Sequence, residues 1–216
     1  MSLTIHQIAV EGFDQNFSYI IIDTVTRQAY VVDPNGDFLK VAALIDTHGY
    51  KVVGIVLTHT HFDHLDKLSI ASDEYRAPIY VYETGVPEIA KFREVHALTD
   101  GMKLPLGTGS IEVMYTPGHT DDSVCLFIPT EHAEDGVPKV ITGDTLFVGG
   151  CGRTNELRVK DLYESLAELA HLPDNTEVFP GHDYGDSPSS TIGHEKVFNK
   201  YYQVENFNEF VKLRLG

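Results

Sequence analysis

Nine residues, Thr58-His59-Thr60-His61-Phe62-Asp63-His64-Leu65-Asp66, carry three imidazoles and two carboxylates directly after an apolar run. Imidazole nitrogen and carboxylate oxygen are the ligands that divalent zinc, iron and manganese prefer. His59, His61 and Asp63 stand two apart, and His64 follows the carboxylate immediately. On a loop leaving a strand, that spacing directs side chains to two adjacent points, so two metal ions are compatible with it. Three later stretches end a strand in turn residues and then present a ligand type: Thr116-Pro117-Gly118-His119, Thr142-Gly143-Asp144-Thr145 and Phe179-Pro180-Gly181-His182-Asp183-Tyr184. Alone, a Gly-His after a strand is an ordinary turn. In this order and together with the first stretch, the four reinforce one another.

These stretches need elements to position them. Patterning predicts strands over 4–10, 17–23 and 29–33, then a turn at Asp33-Pro34-Asn35-Gly36-Asp37 capping a helix with Leu39, Val41, Leu44 and Ile45 along one face. Gly49 ends that helix. Residues 51–57 read as a buried strand that delivers the first ligand stretch at its carboxyl end, the usual place for chemistry in α/β architectures. A helix over 66–75, a strand over 78–82 and a helix near 87–92 follow. Beyond residue 102 the texture turns to strands, at 102–106, 110–116, 124–128, 139–142 and 177–179. Leu162, Leu166 and Leu169 mark an amphipathic helix, and the tail from Ser189 fits one or two more. With no repeat or convincing linker, residues 1–216 read as a single domain.

Bulk properties narrow the partners. The composition, 42% hydrophobic and 22% charged, is that of a globular protein, and a formal charge of −16 argues against nucleic acid or an anionic membrane. Two cysteines form no disulfide framework, the opening residues show no secretory pattern, and no run is long enough to span a bilayer. A cytoplasmic location is the expectation. Cys125, within an apolar run, and Cys151, in a glycine-rich loop, both read as structural rather than nucleophilic.

The four blocks resemble the metallo-β-lactamase superfamily, over nearly the whole chain. The resemblance implies an α/β fold, a four-layer αββα sandwich with its metals at one edge. Carried over residue by residue, it implies His59, His61 and His119 around a first metal, Asp63, His64 and His182 around a second, and Asp144 bridging them. Gly143-Asp144-Thr145-Leu146-Phe147, Gly150-Cys151-Gly152-Arg153 and Gly181-His182-Asp183-Tyr184 look most like the glyoxalase II branch, which hydrolyses glutathione thioesters such as S-lactoylglutathione. The implied cofactors are two divalent ions, zinc, iron or manganese, and the implied partner is a small glutathione or other thiol conjugate. Water made acidic between two cations would attack the thioester carbonyl as hydroxide. Asp63 is the candidate catalytic residue, as ligand and as the group that orients the hydroxide. Arg153 and Tyr184 are candidate anchors for a substrate carboxylate or peptide backbone.

The same blocks resemble the persulfide dioxygenases, which would hold one iron on His59, His119 and Asp144; Cys151-Gly152-Arg153-Thr154 leans that way. A lactone is a third substrate, since its carbonyl asks for the same hydroxide. The chain departs from the glyoxalase II pattern at Arg153-Thr154-Asn155, where that branch has Lys-Phe-Tyr, and at Leu65-Asp66-Lys67-Leu68, where the family often has glycine. Its 216 residues also leave little room for the helical region that completes the glutathione site.

Overall fold

The computed structural model describes residues 2–216. A first six-stranded sheet runs in chain order: β1 (Leu3–Ala9), β2 (Phe17–Asp23), β3 (Gln28–Val32), β4 (Lys51–Val56), β5 (Ile79–Tyr82) and β6 (Val95–Leu98). The first three strands pair antiparallel, and β3 to β6 pair parallel. The second sheet contains β7 (Lys103–Leu106), β8 (Gly109–Tyr115), β9 (Val124–Ile128) and β10 (Lys139–Gly143). After β10 comes a small ribbon, β11 (Leu146–Phe147) with β12 (Gly150–Cys151). β13 (Glu177–Pro180) and β14 (Ser190–Thr191) then complete the second sheet, in the order β14-β13-β10-β9-β8-β7.

Strand β2 shows why the sheets must be covered on both faces. Its seven residues are all buried, and alternate side chains enter different cores. Phe17, Tyr19 and Ile21 point into the space between the sheets with Ile111, Val113, Leu126 and Ile141. Ile20 and Ile22 face the helices α1 (Phe38–His48) and α3 (Leu68–Tyr75), which contribute Val41, Ile45, Leu68 and Ala71. A strand buried on both sides reads as a continuous apolar run for this reason. On the outer face of the second sheet, Cys125, Val140 and Val178 pack against α4 (Val159–Leu169), α5 (Ile192–Phe198) and α6 (Phe207–Leu215). The layers are therefore helix, sheet, sheet, helix, the αββα sandwich the sequence resemblance implied. No helix among the described residues is long and apolar enough to cross a membrane.

The boundaries of β2 and β9 fall where the sequence pattern puts them. The helix expected over 66–75 starts two residues late, as α3, and a short α2 (Phe62–Leu65) precedes it, with Asp66 and Lys67 between. Here the chain is tied sideways to the turn after β3, because Gly36 N–H donates to the Asp66 carboxylate (3.1 Å) and Lys67 N–H to the Pro34 carbonyl (3.1 Å). The helix near 87–92 is a 3₁₀ run, Glu83–Ile89, and edge strand β6 follows it, unpredicted. In α1 the inner face is Phe38, Val41 and Ile45, while Leu39 points to solvent at 79% exposure. Gly49 closes that helix in the left-handed conformation, φ 63°, as the glycine signal predicts.

At the end of β2, the buried Asp23 carboxylate fastens three turns. One oxygen accepts from Val25 N–H (2.9 Å) and Thr26 N–H (2.8 Å). The other accepts from the Ser2 hydroxyl (2.8 Å), Thr108 N–H (2.6 Å) and the Thr108 hydroxyl (2.9 Å). Burial raises its pKa, but these donors outweigh burial and hold it far below the usual carboxylate range. A carboxyl whose pKa is depressed on folding stabilises the fold above its unfolded pKa, and that stability is lost as pH falls through the folded value. Asp23→Asn should cost about 1–3 kcal/mol at pH 7, as expected for unsatisfied buried donors. The gap to wild type should narrow below about pH 4, near the unfolded carboxyl pKa, when urea denaturation is compared at pH 7 and pH 3.

Candidate metal centre

The carboxyl ends of β4, β8, β10 and β13 lie at one edge of the sandwich, and the loops leaving them carry the four ligand stretches. Seven side chains meet there. His59, His61 and His119 offer ligand atoms that all lie within 4.8 Å of one another; so do His59, His64 and Asp144, and so do Asp63, His64 and His182. Asp144 stands between the groups: one oxygen is 3.2 Å from His64 Nε2, and the other is 3.4 Å from His119 Nε2 and 3.2 Å from His182 Nε2. Residues separated by up to 123 positions are thus brought to one point, which is the arrangement the four sequence blocks predict.

The hydrogen bonds behind the imidazoles fix which nitrogen faces the centre. Backbone carbonyls only accept, so His182 Nδ1 donates to Asp14 O (2.6 Å) and His119 Nδ1 donates to Arg153 O (2.8 Å). His64 Nδ1 donates to the Asp33 carboxylate (3.0 Å). The Thr58 hydroxyl donates to Asp33 (2.6 Å) and is left to accept from His59 Nδ1 (3.1 Å). Each Nδ1 therefore holds a proton, and Nε2 of all four rings is turned inward as the lone-pair end.

This arrangement fits a bound cation. His59 Nε2 is buried without any hydrogen-bond partner, which is costly for a polar atom unless something positive sits against it. His64 Nε2 and His182 Nε2 face each other at 3.1 Å, and His61 Nδ1 and His119 Nε2 at 2.9 Å. Two lone pairs at such separations repel until a proton or a metal ion lies between them. The electrostatics agree: burial, helped by the neighbouring imidazoles, pushes His59 well below its ordinary pKa and lowers His119. Burial also works against charge on His64 and His182, but Asp144, helped at His64 by Asp33, outweighs it and raises both. Asp144, despite burial, is held well below the carboxylate range by His64 and His182.

Several supporting residues escape a reading of motifs. Asp33 accepts from Thr58 N–H (2.8 Å), the Thr58 hydroxyl and His64, and adopts a left-handed backbone, φ 49°, that a non-glycine residue rarely takes. Asn16 donates to Asp63 (3.0 Å). The only local hint is the position of Asp33 at a strand end before proline, which also suits a simple turn. Because a carboxylate behind a ligand imidazole sets its orientation, Asp33→Ala should weaken zinc binding about 10–100-fold, read by zinc titration against a competing chelator.

Of the proposed substrate contacts, Arg153 is exposed and forms no ion pair among the described residues, while its carbonyl holds His119. Tyr184 stacks on His182, with centroids 4.7 Å apart and planes 5° apart, and donates its hydroxyl to Asp14 (2.5 Å). Both cysteines are free and buried, and burial pushes each thiol up to about 12. Neither is a thiolate nucleophile at neutral pH.

A family model described as the metallo-beta-lactamase superfamily matches residues 12–182. A protein of Schizosaccharomyces pombe named probable hydroxyacylglutathione hydrolase is 33% identical over 211 residues, covering 94% of this chain and 75% of that one. PksB of Bacillus subtilis, named a probable polyketide biosynthesis zinc-dependent hydrolase, is 27% identical over 92% of this chain and 87% of its own. The crystal structure of ETHE1 from Myxococcus xanthus superimposes with a TM-score of 0.81 at 26% identity, covering 99% of this chain and 90% of that chain.

Proposed function

The chain belongs to the metallo-beta-lactamase superfamily, in its glyoxalase II-like branch, and on that premise we propose that it is a metal-dependent thioester hydrolase acting on a glutathione or other thiol conjugate. The observation that carries this reading is the convergence of two ligand triads on a shared buried carboxylate. In it, His59, His61 and His119 would hold one divalent ion and Asp63, His64 and His182 another, with Asp144 beside both groups. Bound zinc or iron would supply a water acidified to near neutral pH and a Lewis acid for the carbonyl.

The chain's own groups do the rest. Asn16 holds the Asp63 oxygen that lies nearest His64 Nε2 (3.7 Å) and His182 Nε2 (3.4 Å), and so steadies the most accessible carboxylate of the centre where it would orient the attacking water. Asp14, through its carbonyl, and Tyr184, through its ring, fix His182. The Tyr184 hydroxyl is already given to Asp14, so its offer to substrate is the ring face rather than a donor. The Arg153 guanidinium, exposed and without an ion pair among the described residues, is the candidate to take a carboxylate of the thiol carrier. In the reaction a C–O bond forms at the acyl carbon, the C–S bond breaks, and the departing thiolate takes a proton from water. Two free, buried cysteines support a reducing, cytoplasmic setting.

A second reading, persulfide oxidation with one iron on His59, His119 and Asp144, rests on Cys151-Gly152-Arg153-Thr154. Metal analysis of the purified protein with two assays separates the readings. Two metals per chain with S-lactoylglutathione hydrolysis supports the hydrolase. One iron per chain with oxygen uptake on glutathione persulfide replaces it.

A further inference from the structure

Two phenylalanines stand exposed at the rim of the centre. Phe62 lies between His61 and Asp63 in the first ligand stretch, and 63% of its surface meets solvent. Phe13, on the loop joining β1 to β2, is 69% exposed, and the two rings meet at 4.9 Å between centroids with planes 59° apart. Scattered exposed apolar residues are ordinary, but a contiguous aromatic pair beside a cluster of ligand-type side chains suits ligand contact. The Phe13 loop is held against the centre: its Asp14 carbonyl accepts from His182, Asn16 donates to Asp63, and Asp183 N–H donates to Gln15 O (3.0 Å). The loop that carries Phe13 is therefore anchored on the Asp63 and His182 side of the centre.

Charge decides which part of a substrate fits there. Phe13 is flanked by Glu11 and Asp14, and Asp183 lies beside the same loop. An anionic thiol carrier is disfavoured next to these carboxylates. The uncharged end of the substrate, its acyl group, is left for the aromatic side. We infer that Phe13 and Phe62 form an acyl-recognition platform that selects bulky apolar acyl groups, aromatic or long aliphatic, over small hydroxyacyl groups. The inference rests on the thioester reading and assigns the acyl class of that site.

The test uses the zinc-loaded full chain and S-phenylacetyl-, S-octanoyl- and S-lactoylglutathione, in wild type, Phe13→Ala, Phe62→Ala and the double variant. Both side chains are mostly exposed, so truncation opens no core cavity and folding should be retained. In wild type, kcat/KM for the phenylacetyl and octanoyl thioesters should exceed that for the lactoyl thioester by about 10-fold or more, the scale of a good apolar contact. That ratio should collapse toward one in the double variant. Calorimetry supplies a readout independent of turnover: 3-phenylpropanoate should bind wild type about 10-fold tighter than propanoate, and the double variant should bind both alike. If no thioester is hydrolysed, the proposed reaction fails while calorimetry still judges the platform. A wild-type protein indifferent to the phenyl group, or a double variant that keeps the preference, overturns the platform itself.

Discussion

Asp144→Asn should yield a folded protein that holds fewer than two metal ions per chain and hydrolyses thioesters at least about 10³-fold more slowly, a loss of several kcal/mol of electrostatic stabilisation. The substitution keeps the shape of the side chain and removes one charge from the point where three imidazole Nε2 atoms lie within 3.2 to 3.4 Å of its oxygens. An amide can turn only one oxygen toward them, and its NH₂ would face inward-pointing lone pairs or cations with hydrogens. Metal analysis and initial rates on the same preparation check the result. His59→Ala should lose metal as well, since it deletes the buried nitrogen that has no other partner. If both variants kept full metal content and activity, the ligand assignment would be wrong.

Gly152→Ala should be comparably damaging without replacing any ligand. A Cβ at residue 152 would lie 1.9 Å from the Asp144 carbonyl oxygen and 3.0 Å from His119 Cβ, so backbone must move at the loop that carries Asp144. Forced overpacking of this kind costs typically about 1–3 kcal/mol, which for a chain of this size lowers Tm by roughly 3–10 °C. The displaced loop should also lose metal affinity. Gly150→Ala is the matched control two residues away, where a Cβ would meet only Phe147 Cβ at 3.8 Å. Thermal melts and metal content should separate the two variants. Equal behaviour would mean that the loop gives way easily at residue 152.

The four candidate stretches were legible because they are local: each sits within a few residues of a strand end, and although one alone reads as a turn, the four in this order reinforce one another. Strand β2 was legible for the same reason, since burial on both faces leaves an unbroken apolar run. What the pattern could not carry is anything decided by a partner far along the chain. Asp33 looks like a turn residue until β4 is laid beside β3 and brings Thr58 and His64 to it. The late start of α3, after Lys67, depends on the turn at Pro34 and Gly36. Strand β6 is short, at a sheet edge, with His96 and Ala97 turned to solvent, so it lacks the apolar alternation that announces a strand. Tyr184 was read as a candidate anchor for substrate, and only the fold shows its hydroxyl spoken for by Asp14.

Two of the four inward-facing imidazoles are held by peptide carbonyls, of Asp14 and Arg153, rather than by side chains. A carbonyl stays in place whatever residue bears it. Positions 13 and 153 can therefore change their side chains while the rings steadied beside them keep their tautomers. On the proposed thioester reading, substrate preference and metal retention would reside in different parts of the same loops, so that an inherited substitution could alter the first at little cost to the second.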